Sequence, residues 1–194
     1  YQIVYAYTHT SGNEDDASLE AAWKALDRGS YDSKTLVVRD GSGSMTCGPS
    51  NFRPLDVATS LTLLFSEQLE GIFKNKFITF SSEPQFINIP DECKSLREKL
   101  VYLYQFDDCS NTDIAKVYNL LLNIATNYEI PKEEMIERVL IVSDMEFDCV
   151  DIGVSTYEYY KAKFEEAGYQ LPEIVFWNVN ARNMHTPVTK DEKG

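Results

Sequence analysis

The chain is poor in basic residues and in histidine, and it has no long apolar run. Among its 194 residues, 18 Lys and Arg stand against 31 Asp and Glu, which gives a formal net charge of −13. Nucleic acids and anionic lipid headgroups are bound chiefly through Lys and Arg, so we expect no direct nucleic-acid or membrane binding. No stretch approaches the roughly 18 apolar residues of a membrane span, and no signal peptide is visible.

Cysteine is also sparse, and its spacing matches no common site. The four cysteines lie far apart and form no CxxC pair, at positions Cys47, Cys93, Cys109 and Cys149. With 43% hydrophobic residues, the chain can build a sizeable core without disulfides. We therefore expect thiols in a reducing compartment and a cytoplasmic location.

Two catalytic motifs are missing as well. The sequence has no Gly-x-x-x-x-Gly-Lys loop for nucleotide phosphates and no Gly-x-Ser-x-Gly turn of a serine hydrolase. Its two histidines, His9 and His185, lie near opposite ends of the chain, so neither is easily paired with a nucleophile. The sequence favours a protein that is not an enzyme.

Apolar runs alternate with helical patterns along most of the chain. This order predicts an α/β fold with a doubly wound, mainly parallel sheet and one antiparallel edge strand, because only four residues separate the second and third apolar runs. The predicted strands are 35–39, 77–80, 85–89, 139–142 and 174–177. Those at 35–39, 139–142 and 174–177 are continuous apolar runs and are expected to be buried.

Periodic apolar positions predict the helices. A helix that starts at Pro54 is expected to bury one face, and a second follows near Leu96. The clearest pattern covers 114–125, with Asn111 or Thr112 as its N-cap, and a last helix stops at Gly168. The predicted inner face of the first of these helices consists of Val57, Leu61, Leu64, Phe65 and Ile72.

The domain boundary is placed before the first predicted strand. Residues 1–33 are interpreted as an N-terminal extension, with an apolar opening over 1–7 and a short helix around Trp23, and as the end of a preceding helical region. Residues 34–194 are predicted to form the α/β domain.

A cluster of oxygen side chains follows the first strand. Asp40 ends the strand, and Ser42 and Ser44 follow at alternate positions with glycines between them. Such a loop can bring three hard oxygen atoms together, which suits a small hard cation, with Mg²⁺ as first choice and Mn²⁺ or Ca²⁺ as alternatives. A plain Gly/Ser turn is the alternative interpretation.

Two distant residues are expected at the same edge of the sheet. Asp144 ends the fourth predicted strand, and Thr112 precedes the clearest helix. Ligands of open α/β sheets bind outside the carboxyl ends of the strands, where the strand order reverses. The sequence therefore predicts that two carboxylates and three hydroxyls meet there, although Thr112 also suits a simple N-cap and Asp144 a solvated strand end.

These residues resemble a known family. Asp40-Gly-Ser-Gly-Ser44 matches the DxSxS signature of von Willebrand factor A (vWA) domains, and Thr112 and Asp144 fall where that family places its other metal contacts. The resemblance covers roughly residues 34 to 180. It is closest to intracellular vWA proteins of unknown function and, more distantly, to the vWA half of Ro-type proteins.

The resemblance implies a metal-ion-dependent adhesion site. In such a site the three hydroxyls would touch one divalent cation, the two aspartates would act directly or through water, and a partner protein would supply an acidic side chain. The implied metal ligands are Asp40, Ser42, Ser44, Thr112 and Asp144. The family fold usually adds a sixth strand and a last helix, for which this chain leaves only fourteen residues after Asn180.

Two other functions stay open at this point. An Asp at the end of a strand beside Mg²⁺ is also the arrangement of aspartyl-phosphate phosphatases, but Ser42 occupies the position of their acid–base carboxylate. A purely structural metal that ties the loops together is the other alternative. The charges of Asp107, Asp108 and Asp113 are interpreted as solvated loop charges.

Overall fold

Five strands form one sheet in the computed structural model, which describes residues 1–9, 16–26, 33–48, 52–107, 114–144 and 154–180. The strand order is β3-β2-β1-β4-β5, and only the β2–β3 pair is antiparallel. The strands are β1 (Thr35–Asp40), β2 (Lys76–Phe80), β3 (Phe86–Asn88), β4 (Arg138–Ser143) and β5 (Glu173–Asn178). The expected α/β fold with a mainly parallel sheet and an antiparallel edge strand is thereby confirmed, and it is Rossmann-like.

Six α-helices belong to the described part of the chain. Those predicted around residues 23, 54, 96, 114 and 157 are present, and Gly168, with φ of +84°, follows the last one. The helices are α1 (Gln2–His9), α2 (Asp16–Lys24), α3 (Pro54–Ser66), α4 (Leu96–Leu103), α5 (Ile114–Asn127) and α6 (Val154–Glu166). The N-cap predicted at Asn111 or Thr112 lies outside the described residues.

The helices form a layer on each face of the sheet. Alternate residues of the central strands point to opposite faces. One face packs against α5 and α6 through residues such as Val38 and Ile141. The other packs against α3 through Val37, Leu140 and Val142. The site at the carboxyl end of β1 is therefore held between two packed layers.

Helix α3 buries a different face from the predicted one. Leu55, Ala58 and Leu63 are buried, whereas the side chains predicted to face inwards on α3 are only partly buried. Its buried hydroxyls bond to the helix's own carbonyls, as when Thr62 Oγ1 donates to the Ala58 oxygen at 2.8 Å. Because their hydroxyls are hydrogen-bonded, small polar residues of α3 can be buried against β1. The apolar residues alone therefore predicted the wrong buried face of α3.

The first residues are helical and belong to a core. The opening predicted only as apolar is α1, whose Val4 and Tyr7 are buried with Trp23 of α2 and with residues of α3 and α4. Asp16 of α2 holds Arg97 of α4 through two charge-assisted bonds of 2.5 and 2.6 Å. The N-terminal extension is thus packed against the helical layer beside β2.

Strand β5 is an exposed edge within the described sheet, and the prediction that it is fully buried was wrong. Val175 and Trp177 are 37% and 47% exposed, although both lie on the face that carries Leu140 and Val142. An apolar run indicates a strand but does not reveal whether another element covers it. No helix in the described ranges is long and apolar enough to cross a membrane.

Candidate metal centre

The loop after β1 is shaped by a buried anchor and a short turn. Asp40 ends β1, and a 3₁₀ turn covers Gly43–Thr46. Met45, in this turn, is fully buried against Val37, Leu55 and Ala58. The buried Met45 therefore fixes where the preceding hydroxyls lie.

The structure brings three of the five predicted ligands together. Ser42 Oγ and Ser44 Oγ lie 3.1 Å apart, and the Ser42 backbone N–H donates to Asp40 Oδ1 at 2.9 Å. Two hydroxyls beside a carboxylate form a set of hard oxygen donors. Donors of this chemical type are the ones that a small divalent cation prefers.

Asp144 directly follows the neighbouring strand, β4, at the same edge of the sheet. Arg39 of β1 pairs with Val142 of β4, so that Asp40 and Ser143 come next on adjacent strands. Ser143 Oγ donates to Asp40 Oδ2 at 2.5 Å, and Asp144 follows, buried. The chain turns from β2 on one side of β1 to β4 on the other, so this edge is the switch point of the sheet.

The buried Asp40 is affected electrostatically by the groups around it. Burial raises the pKa of Asp40 above its ordinary value, the hydrogen bonds from Ser143 and Ser42 oppose the rise, and the Asp144 carboxylate adds to it. Burying two carboxylates near one another is costly unless a cation or several donors compensate.

Thr112 lies outside the described residues, as do Asp108, Asp113, Cys109, Cys149 and His185. Among the residues that are described, no group of three or more His, Cys, Asp or Glu could hold a metal ion. The proposed set relies on serine hydroxyls instead, with two carboxylates. The prediction that Thr112 completes it stays a prediction.

Sequence reasoning missed two residues of this region. Ser143, which donates a hydrogen bond to Asp40, and Arg39, which is buried on the face of β1 opposite to Asp40, were not singled out. Asp107, interpreted as a solvated loop charge, is exposed and also ion-paired, because its Oδ1 accepts a 2.7 Å bond from Arg39 Nη2. An arginine inside an apolar strand was the available signal, since buried charges need partners.

A family model described as a domain of unknown function, DUF7788, matches residues 34–194. The chain belongs to the DUF7788 family. The whole chain is also 32% identical, over 201 residues, to an uncharacterized protein of Acanthamoeba polyphaga mimivirus. It spans 34% of that protein's length. Neither description of these DUF7788-related sequences states an activity.

Proposed function

We propose that this DUF7788 chain is a divalent-cation-dependent protein-binding module. The observation that carries the proposal is the pair of hydroxyls, Ser42 and Ser44, beside the buried Asp40 at the switch point of the sheet. Mg²⁺ is the proposed cation, with Mn²⁺ or Ca²⁺ as alternatives, and the proposed ligands are Asp40, Ser42, Ser44, Thr112 and Asp144. Oxygen-only ligands of this kind suit such hard ions.

The charge of the donor set supports a role in binding acidic groups. Hydroxyls are neutral, so a cation held largely by Ser42 and Ser44 would keep part of its charge for an incoming carboxylate. Asp40 already accepts bonds from Ser143 and Ser42, which orients it and leaves its remaining lone pairs for a metal-bound water. The proposed partner is therefore a protein that offers an Asp or Glu side chain.

The proposal includes a finer assignment of the fold. The DxSxS loop and the β3-β2-β1-β4-β5 order support a vWA-like domain over 34–194. The exposed apolar residues Val175 and Trp177 agree with a further covering element. The widely spaced cysteines favour a reducing, intracellular compartment.

The test is a calorimetric titration of Mg²⁺ and Mn²⁺ into chelator-stripped protein, in parallel with Asp40→Ala. One-site binding in the native chain and none in the variant is the expected result. A matched control is Glu173→Ala, which removes a carboxylate at the opposite end of the sheet. Stoichiometric binding retained by Asp40→Ala would contradict the proposal.

A second titration tests the partner chemistry. A blocked tripeptide with a central Glu should bind the Mg²⁺-loaded protein more tightly than its Gln counterpart, and the difference should vanish with chelator. Equal binding of both peptides in Mg²⁺ would leave the cation site but refute recognition of a carboxylate, and would favour a structural metal.

A phosphatase is the competing function, and the site supports it less well. Asp40 could serve as a nucleophile, but Ser42, whose hydroxyl lies against Ser44, stands where an acid–base carboxylate is needed. Hydrolysis of p-nitrophenyl phosphate that is lost in Asp40→Asn, with the metal still bound, would establish the enzyme instead.

A further inference from the structure

Arg39 is a fully enclosed charge directly before the first predicted ligand. Only 1% of its surface is exposed. Its guanidinium donates to Thr59 Oγ1 at 3.1 Å, to the Leu103 carbonyl at 3.5 Å and to Asp107 Oδ1 at 2.7 Å. It also lies 5.6 Å from the ring centroid of Tyr104. The guanidinium therefore joins β1 to α3 and to the end of α4.

Tyr104 makes this arrangement rigid. Its ring contacts both Arg39 and Arg53, with distances from guanidinium carbon to ring centroid of 5.6 and 5.5 Å. Its hydroxyl donates to Oδ1 of Asp56, a fully buried residue of α3, at 2.8 Å. Since the ring is held at both its face and its hydroxyl, the start of the segment after α4 has little freedom.

Asp107 connects the ion pair to the metal loop through Gly41. A Cβ at Gly41 would lie 3.0 Å from Asp107 Cα and 3.2 Å from the Phe106 carbonyl oxygen. The backbone of the two segments is therefore in direct contact. Gly41 lies between Asp40 and Ser42 in the chain, so a shift of Asp107 would displace both of these residues.

The ion pair with Arg39 holds Asp107 at this contact. The carboxylate of Asp107 lies near the edge of the sheet that holds the buried Asp40 and Asp144, but 30% of its side chain is exposed, so water screens its charge. The 2.7 Å bond from the buried guanidinium of Arg39 therefore acts mainly by fixing where Asp107 lies.

We propose that Arg39 is a positioning residue of the metal centre: by holding Asp107 against Gly41, it fixes the loop that presents Asp40, Ser42 and Ser44. The inference deepens the proposed function and rests on it for the role in metal binding. The positioning itself is a property of the metal-free protein. It can therefore be tested separately.

The test measures amide hydrogen exchange in metal-free protein for the native chain, Arg39→Met and Asp107→Asn. The amides of Ser42, Met45 and Cys47 are hydrogen-bonded within the loop and report on its opening. We expect several-fold faster exchange of these amides in both variants, and a larger change there than at amides in the centre of β1 and β4. A lower melting temperature is also expected, because each single change leaves one charge of the pair without its partner.

Mg²⁺ titrations of the same proteins supply the second readout. Loss of a residue that orients ligands typically weakens metal binding by about ten-fold or more, and we expect a loss of that size in each variant. The double variant Arg39→Met/Asp107→Asn should bind Mg²⁺ no more weakly than the weaker-binding of the two single variants, because both changes break the same contact. Arg138→Met, which removes an ion pair with Glu173 at the other end of the sheet, is the matched control.

The outcomes separate this inference from the proposed function. Native exchange rates for the loop amides in both variants would overturn the inference, even if Mg²⁺ binding depends on Asp40. Faster exchange with no Mg²⁺ binding by any protein would support positioning of the loop and refute the proposed metal function. If Arg39→Met does not fold, Asp107→Asn, whose side chain is 30% exposed in the native protein, decides.

Discussion

Charged side chains are exposed at one end of the sheet and buried at the other. At the amino end of β4, Arg138 pairs with Glu173 at 3.3 Å and Glu137 with Lys34 at 2.6 Å, and all four side chains are substantially exposed. At the carboxyl end, Asp40 and Asp144 are both buried, and Asp40 accepts hydrogen bonds from Ser143 and Ser42. Exposed ion pairs contribute little to stability and tolerate change, whereas a buried carboxylate reduces stability unless hydrogen bonds, a positive charge or a bound cation compensate it.

The largest expected effect on stability comes from binding of Mg²⁺ at the carboxyl end of the sheet. At a Mg²⁺ concentration of 100 times Kd, binding should stabilise the fold by about 2.7 kcal/mol, which for a chain of this size is roughly 5–10 °C in Tm. Differential scanning calorimetry with and without Mg²⁺ measures it. Asp40→Asn should show no shift, and a full shift in that variant would place the cation elsewhere.

A smaller effect is expected from crowding the loop. Gly41→Ala places a methyl group 3.0 Å from Asp107 Cα, so the two segments must separate slightly. We expect a loss of about 1–2 kcal/mol in unfolding free energy, in the range of other overpacked sites, together with weaker Mg²⁺ binding. Urea denaturation and titration measure the two losses. Unchanged Mg²⁺ affinity would mean that this contact does not shape the site.

The metal-free protein should gain stability when Asp40 loses its charge. Because the pKa of Asp40 is raised in the fold, the native chain is destabilised as pH rises through that pKa. Asp40→Asn should therefore be more stable than the metal-free native chain at pH 7, and the difference should shrink as the pH falls. Tm measured from pH 3 to pH 8 tests this, and a less stable variant at pH 7 would contradict it.

The smallest effect is expected at the amino end. Glu173→Ala breaks an exposed pair and should change the unfolding free energy by less than about 1 kcal/mol. Mg²⁺ affinity should equal that of the native chain. A loss of Mg²⁺ affinity in Glu173→Ala would show that the two ends of the sheet are coupled.

Local patterns predicted most of the fold. Apolar runs placed all five strands, and the helical spacing found α2 to α6, because each pattern is set by burial on one or both faces. Helix α1 was missed, since its eight residues gain their stability from packing Val4 and Tyr7 against the helices beside β2. The exposure of Trp177 could not be predicted, because it depends on what lies beside β5.

The site was predictable to the extent that it is local in sequence. Asp40, Ser42 and Ser44 lie within five residues, so their approach follows from the turn. The position of Asp144 followed from the rule on switch points. The roles of Ser143, Arg39 and Asp107 depend on contacts across 68 to 103 residues of chain, which no local pattern encodes.

The proposed cation site is tested most directly by a crystal of the protein grown with Mn²⁺ and measured near the manganese absorption edge. We expect one anomalous difference peak within about 2.2 Å of both Ser42 Oγ and Ser44 Oγ, near the distance typical of small divalent cations with oxygen ligands. A strong peak at the exposed ion pairs of the amino end, with none beside the two serines, would refute the proposed site.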